Sequence, residues 1–161
     1  MNYLKIGLLA LLLSVAGCQS SAPTEFEQLK PYYASYVGDN SAMGAIVHLT
    51  PGSDYFKQMA LTETSITLSY EAPPITSKEQ QEAYNRWKPE RAFAYNAAVF
   101  FLLVQNLETI TFEWTNDLGM TDTYVESKEA FFEAYPELHE LASERLMEQY
   151  LEKAHALFRT S

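Results

Sequence analysis

The sequence predicts a small α+β domain of two layers: an antiparallel sheet of two hairpins packed on a buried central helix, with a long carboxy-terminal helix alongside. Three patterns support this class. Residues 90–107 are apolar on almost every side, as in a helix that its neighbours bury. Residues 56–71 and 108–125 alternate apolar and polar side chains around a central turn, which is typical of half-buried hairpins. Residues 136–158 carry apolar side chains at helical spacing.

The part of the domain before the first hairpin is predicted to be helical. A weakly helical lead-in at 26–29 comes first. Asp39 or Asn40 can then accept the free backbone N–H groups of a first helical turn. Apolar residues recur at helical spacing after them until Pro51-Gly52 ends the helix, and a short turn is expected at 53–55.

Turn and cap residues divide the rest of the chain. The first hairpin turn is expected at 62–64. The second is expected at 116–119, because the Asn, Asp and Gly of that segment favour a turn. Between the hairpins, 72–89 is polar and bounded by prolines, so we expect mostly loop with one helical turn near its middle. Ser127 can cap a short helix before Pro136 starts the last one. The predicted apolar face of that last helix comprises Leu138, Leu141, Leu146, Tyr150, Ala154 and Leu157.

The first eighteen residues have the organisation of a bacterial lipoprotein signal peptide. Lys5 precedes an apolar run at 6–13, which is too short to span a hydrocarbon core that needs roughly 20 apolar residues. Val15-Ala16-Gly17-Cys18 then matches the lipobox, so we expect cleavage between Gly17 and Cys18 and diacylglyceryl attachment, with palmitate-type chains, to the Cys18 thiol. Cys18 is the only cysteine, so it cannot form a disulfide within the chain. Lipidation would also consume a thiol that is exported to an oxidising compartment.

These signals predict three parts and a location. Residues 1–17 are the signal peptide, 18–25 are the lipidated cysteine and a short tether, and 26–161 form the single α+β domain. We expect an exported protein, lipid-anchored to the bacterial cell membrane, with its domain on the extracytoplasmic side. The alternatives are an ordinary signal peptide with a chance cysteine and a buried amino-terminal helix.

The composition describes a folded and strongly acidic domain. Lys5 is the only charged residue among the first seventeen, so their removal changes the net charge from −10 to −11. This acidity argues against nucleic acid as a partner, because phosphates require a basic face. It also argues against docking on anionic lipid through a basic patch, so we expect the acyl chains alone to hold the protein at the membrane. The 11 tyrosines allow sugar stacking, but scattered tyrosines more often serve core packing.

Four segments of the sequence resemble a known bacterial family. They are Tyr36-Val37-Gly38-Asp39-Asn40-Ser41, Gly44-Ala45-Ile46-Val47, Pro51-Gly52-Ser53 and Arg91-Ala92-Phe93-Ala94-Tyr95-Asn96-Ala97. The family is domain of unknown function 4825, and the resemblance covers about 30–157. It implies an envelope module without established activity, found as a lipoprotein or joined to membrane sensor proteins of the antirepressor metallopeptidase type. The resemblance supplies no catalytic residues.

Motifs for enzymatic chemistry are missing from the sequence. His139-Glu140 begins like the zinc motif HExxH, but the fifth position is Ser143 where a second histidine is needed. Glu152 and His155 are one helical turn apart and would hold a metal only weakly, so no metal site is predicted. The sequence also lacks G-x-S-x-G, S-x-x-K and a glycine-rich phosphate loop. We therefore predict no cofactor other than the lipid on Cys18.

Two surface features are candidate binding sites. The turn Gly38-Asp39-Asn40-Ser41 serves either as a helix cap or as the rim of a site for a ligand or partner. The second feature is an acidic ridge of four glutamates with a four-residue repeat, which places them within about a third of the helix circumference. It serves either as a solvated face or as a dock for a basic partner. The ridge comprises Glu140, Glu144, Glu148 and Glu152.

The leading hypothesis is a non-enzymatic, lipid-anchored envelope module that binds an envelope protein or a small ligand, in sensing for example. The alternative is an envelope hydrolase with an unrecognised carboxylate and histidine site.

Overall fold

Seven α-helices and four β-strands follow one another in the computed structural model, which describes residues 22–159. The predicted signal peptide 1–17 and Cys18 lie outside the described residues. The helices are α1 (Glu25–Leu29), α2 (Asn40–Leu49), α3 (Lys78–Arg86), α4 (Pro89–Leu103), α5 (Lys128–Ala134), α6 (Pro136–Leu141) and α7 (Met147–Phe158). The strands are β1 (Phe56–Leu61), β2 (Ser65–Glu71), β3 (Thr109–Thr115) and β4 (Thr121–Ser127). Short 3-10 turns occupy Lys30–Tyr32, Ser53–Tyr55 and Glu144–Leu146.

The four strands form one mixed sheet in the order β1-β2-β3-β4. Both predicted hairpins are confirmed, since β1 pairs with β2 and β3 with β4 in antiparallel fashion. The expectation of a wholly antiparallel sheet is wrong at the centre, where β2 and β3 are parallel and Leu68 lies opposite Phe112. Helices α3 and α4 cross over between the hairpins and return the chain to the starting end of the sheet, as a parallel pair requires.

The central helix α4 fills the core as the sequence predicted. It packs on the sheet face formed by alternate residues of the middle strands, and Phe93 stacks on Phe112 with ring centroids 4.7 Å apart. The other sheet face is partly exposed and polar, where the Ser69 hydroxyl donates to Glu113 Oε2 at 2.7 Å. Helix α4 ends at Leu103, before the predicted residue 107. Its buried residues are Ala92, Phe93, Tyr95, Asn96, Ala97, Ala98, Val99, Phe100, Phe101, Leu102 and Leu103.

The connection before α4 is more helical than the polar sequence predicted. Helix α3 has nine residues and begins with a capping box, in which Ser77 Oγ accepts from the Gln80 backbone N–H. The Gln80 side chain accepts in return from the Ser77 backbone N–H. The S-x-x-Q spacing is a start signal that is readable in the sequence. Tyr84 then stacks on Trp114 and fixes α3 over the sheet.

The predicted single carboxy-terminal helix is wrong, because the chain leaves helical geometry between α6 and α7. Ala142 and Ser143 have ψ angles of 69° and 157°. At 100° per residue, Leu138 and Met147 would point in opposite directions on one continuous helix. The interruption allows both side chains to be fully buried. The buried face consequently comprises Leu138, Met147, Tyr150, Leu151, Ala154 and Phe158, whereas Leu157, predicted to be buried, is 39% exposed.

Candidate functional site

An open groove of about 350 Å³ lies between α1 and α7. We call it the α1–α7 groove. Leu151 is buried and Phe26 is half-buried, so these two side chains give the groove an apolar interior. Three carboxylates surround that interior. The lining residues are Thr24, Glu25, Phe26, Glu148, Leu151, Glu152 and His155.

Local signals in the sequence place α1 against α7. Thr24 caps α1, since its Oγ1 accepts from the Glu27 N–H at 3.2 Å while its own N–H donates to Glu27 Oε2 at 2.7 Å. Leu29, fully buried, fixes the other end of this short helix in the core. Arg159 Nη1 lies 3.8 Å from Glu25 Oε1 and joins α1 to the end of α7.

Tyr95 of α4 contacts His155, which lines the α1–α7 groove, and Arg159 at the end of α7. The ring meets His155 edge-on at 6.3 Å, and the Arg159 guanidinium lies 5.3 Å from the ring centroid. Burial raises the pKa of the Tyr95 hydroxyl, the nearby Glu25 carboxylate raises it further, and Arg159 opposes the rise. Tyr95 is therefore neutral at physiological pH and supports the groove by packing. The sequence placed Tyr95 in a buried helix, but it did not indicate contact with residues as distant in the chain as His155 and Arg159.

The predicted acidic ridge is interrupted together with the helix that carried it. Glu140 lies in α6 and Glu144 in the following 3-10 turn, so the four glutamates do not share one helix face. Glu148 and Glu152 remain one turn apart on α7, and both line the α1–α7 groove. The structure thus reduces the ridge to one pair and adds Glu25, which the sequence had not singled out.

The Gly38–Ser41 turn acts as a helix cap. Asp39 Oδ1 accepts from the backbone N–H groups of Ser41 and Ala42 at 3.1 and 3.0 Å, so the prediction of Asp39 as the cap of α2 is confirmed. Asn40 is the first residue of α2. None of the four residues lines the α1–α7 groove. A role for this turn as the rim of a binding site stays a prediction.

A second groove, of about 250 Å³, carries a cluster of cations that the sequence reading missed. It lies where α3 meets α4, beside the end of α7, and we call it the basic groove. The sequence feature that could have predicted this cluster is the segment Arg86-Trp87-Lys88-Pro89-Glu90-Arg91, which brings three cations close together in an otherwise acidic chain. The lining residues are Pro51, Arg86, Trp87, Lys88, Arg91, Ala92, Phe158 and Arg159.

The described residues contain no cluster that resembles a metal centre. Between residues 22 and 159, no three His, Cys, Asp or Glu side chains come together in a way that would hold a metal ion. Glu152 and His155 lie in the same groove, but no His–carboxylate ion pair within 4.0 Å forms in this part of the chain. Over the same residues, no helix has both the length and the apolar character that crossing a membrane requires.

The fold is that of a small α+β domain with a mixed sheet, and the α1–α7 groove and the basic groove lie open at its surface. A family model described as Domain of unknown function (DUF4825) matches residues 29–127. Because this match covers more than half of the chain, the protein belongs to that family. The matched segment runs from the end of α1 through β4, so it includes Arg86, Lys88 and Arg91 but not α7. No curated protein and no solved structure matches the chain.

Proposed function

We propose that the protein is a lipid-anchored protein of the bacterial envelope whose domain binds a partner protein and has no catalytic role. The lipobox at Val15-Ala16-Gly17-Cys18 supports export, cleavage before Cys18 and palmitate-type acylation of its thiol. Two acyl chains give stable anchoring where one is marginal. Cys18 precedes Thr24 by six residues, so an extended tether reaches about 20 Å at most.

The observation that carries the binding proposal is the α1–α7 groove. Its interior is apolar, and Glu148 and Glu152 border it with negative charge that no ion pair of the described chain neutralises, whereas Glu25 is paired with Arg159. This combination complements a segment with apolar side chains flanked by Lys or Arg, because apolar burial supplies affinity and the charge pattern supplies selectivity. The proposed occupant is therefore a basic, partly apolar segment of another envelope protein.

The alternative of an envelope hydrolase has one observation in its favour, which is that Glu152 and His155 line the same groove. A general acid and base act within hydrogen-bond reach of a substrate that the enzyme shields from water. The groove is open, and the two side chains form no ion pair within the described chain. Partner binding accounts for the same residues without requiring either condition.

Crosslinking in cells tests the proposal. A photoreactive residue at Gln149, which is exposed on α7 beside the groove residues, should capture a partner whose crosslinked peptide is rich in Lys or Arg. The double variant Glu148→Lys, Glu152→Lys should lose this capture at least about tenfold, since it replaces attraction with repulsion at two positions. Mass spectrometry of the crosslinked peptide identifies the contact.

The matched control is Glu140→Lys, Glu144→Lys. It makes the same change in charge on two exposed glutamates that do not line the groove. Equal loss of capture in both double variants would show that overall charge governs binding and would refute a specific groove. In the same cells, Cys18→Ser should release the protein from the membrane or leave it unprocessed, and unchanged membrane retention would refute the lipid anchor.

A further inference from the structure

The basic groove concentrates positive charge in a protein that has little of it. The chain contains 11 Lys and Arg residues against 21 Asp and Glu, and Lys5 lies before the described residues. Four of the ten remaining cations nevertheless line this one groove: Arg86, Lys88, Arg91 and Arg159. The groove continues into a neighbouring hollow lined by Asn85 and the first three of these cations.

Three of the four cations have no acidic partner. Arg159 pairs with Glu25, whereas Arg86, Lys88 and Arg91 form no ion pair with any residue of the described chain. All three side chains are exposed. In a domain with twice as many acids as bases, unpaired cations gathered on one surface leave a concentrated positive potential, which attracts an external anion.

Helix α4 gives a second reason to regard this cluster as functional. Lys88 is the N-cap of α4 and Arg91 lies in its first turn, where the helix dipole is positive. Cations at this end are unfavourable, and acids are the residues that stabilise it. Glu90 in the same turn supplies the favourable acidic charge, whereas Lys88 and Arg91 do not serve the stability of the helix and are free to attract an external anion.

The position of the groove indicates the source of the anion. Arg159 lines the basic groove and also contacts Glu25, the residue that follows Thr24. The groove therefore lies near the point where the chain leaves the domain toward Cys18, within reach of the membrane through a tether of about 20 Å at most. Trp87 lines the same groove with part of its ring, while its indole N–H is turned into the fold and buried.

We propose that the basic groove docks the domain onto the head groups of anionic phospholipids, so that the anchored protein holds a fixed orientation on the membrane. This inference rests on the lipid anchor of the proposed function. The net charge of the chain had argued against such docking, but net charge carries no information about where the few cations lie. Docking through this groove leaves partner binding to the separate α1–α7 groove on the other side of Arg159.

Hydrogen exchange of the purified, acylated protein tests the docking. The protein is mixed with vesicles of phosphatidylcholine alone or of equal parts phosphatidylcholine and phosphatidylglycerol. Exchange of the backbone amides in residues 85–92 should slow only with phosphatidylglycerol. For the triple variant Arg86→Gln, Lys88→Gln, Arg91→Gln, the lipid concentration giving half of this protection should rise at least about tenfold.

The matched control neutralises three exposed lysines on other elements, Lys57→Gln, Lys78→Gln and Lys153→Gln, with the same change in net charge. It should retain the protection seen with the unsubstituted protein. An equal effect of the control would overturn the proposal, because general charge would then explain binding. Equal protection on both kinds of vesicle, or equal protection by inorganic phosphate with phosphatidylcholine vesicles, would also overturn it, the latter in favour of a soluble anion.

The anchor is measured separately by flotation with phosphatidylcholine vesicles. A protein purified from cells that fails to float has no stable anchor, which refutes the anchored part of the proposed function. The exchange measurement does not depend on that result, because it compares two lipid compositions added to the same protein in solution.

Discussion

Gly52 is constrained by both its backbone conformation and its neighbour. Its φ angle is +89°, in the left-handed region, and a Cβ added to it would lie 2.6 Å from Cη2 of Trp87. Trp87 has little freedom to move away, since its ring packs on Tyr55 and Trp114 with centroids 5.1 and 5.9 Å away. The turn after α2 and one wall of the basic groove therefore depend on the same glycine.

Gly52→Ala should lower the free energy of unfolding by about 2–4 kcal/mol, from backbone strain together with displacement of the indole ring. Urea denaturation followed by circular dichroism measures the loss. Gly119→Ala is the control, because Gly119 has a φ angle of +77° with no atom within 4 Å of the added Cβ. It should cost only the strain, about 1–2 kcal/mol. Equal losses in the two variants would contradict the contact with Trp87.

Side-chain burial could be predicted from the sequence far better than side-chain contacts. The patterns indicated that Tyr95 and Asn96 lie in a buried helix, and both are fully buried. They did not indicate that Asn96 Nδ2 donates to the Pro51 carbonyl at 2.9 Å, or that Arg159 lies over the Tyr95 ring. Periodicity reports which face of an element is apolar, whereas the partner on another element depends on how the elements pack.

At the scale of elements, two variants near the cap of α2 distinguish a structural role of the Gly38–Ser41 turn from a role in binding. Asp39→Ala removes two hydrogen bonds to the first turn and should cost about 1 kcal/mol of stability. Gly38→Ala should leave stability nearly unchanged, because no atom lies within 4 Å of the added Cβ. Chemical denaturation of the two variants checks both values. A loss of partner capture by Gly38→Ala with stability intact would instead support the predicted rim.

The hairpins could be predicted because each is encoded locally, while the way they join is not. Alternation and turn residues within 56–71 and 108–125 determine two antiparallel pairs. The alternation is the same for a parallel and an antiparallel neighbour, so it gave no sign that β2 and β3 run in parallel. The length of the crossover through α3 and α4 was the available signal, and the polar composition of α3 obscured it.

The interruption between α6 and α7 was missed for a related reason. Apolar residues at 136–158 fit one helical stripe when Leu141, Leu146 and Leu157 are counted as buried. The structure buries Met147 and Leu151 instead, which requires a change of phase after Leu141. No proline or glycine marks that position, so the sequence carries no local stop signal there. The acidic ridge was predicted on this helix and was interrupted with it.

At the scale of the whole molecule, charge is distributed unevenly around Arg159. On one side of it, Glu25, Glu148 and Glu152 surround the α1–α7 groove. On the other side lies the basic groove, whose occupation by lipid head groups would place the acidic groove at a fixed height and angle above the membrane. The two proposals therefore support a single arrangement, in which one surface orients the domain and the other is presented to a partner.

The excess of acidic over basic residues in the chain predicts that added salt stabilises the fold. The chain carries 21 acidic residues and a net charge of −10, and three ion pairs join residues of the described chain. Repulsion among the remaining carboxylates opposes the compact state, and added salt shortens its range from a Debye length of about 30 Å at 0.01 M to about 10 Å at 0.1 M. The melting temperature of the protein without vesicles should thus rise by several degrees between these NaCl concentrations.

Differential scanning calorimetry measures this rise in melting temperature. The variant Glu133→Gln, Glu140→Gln, Glu144→Gln should show a smaller rise, because it removes three of the mutually repelling charges. A melting temperature that falls with salt would mean that the few ion pairs outweigh the repulsion, and the excess of acids would then not govern the stability of this fold.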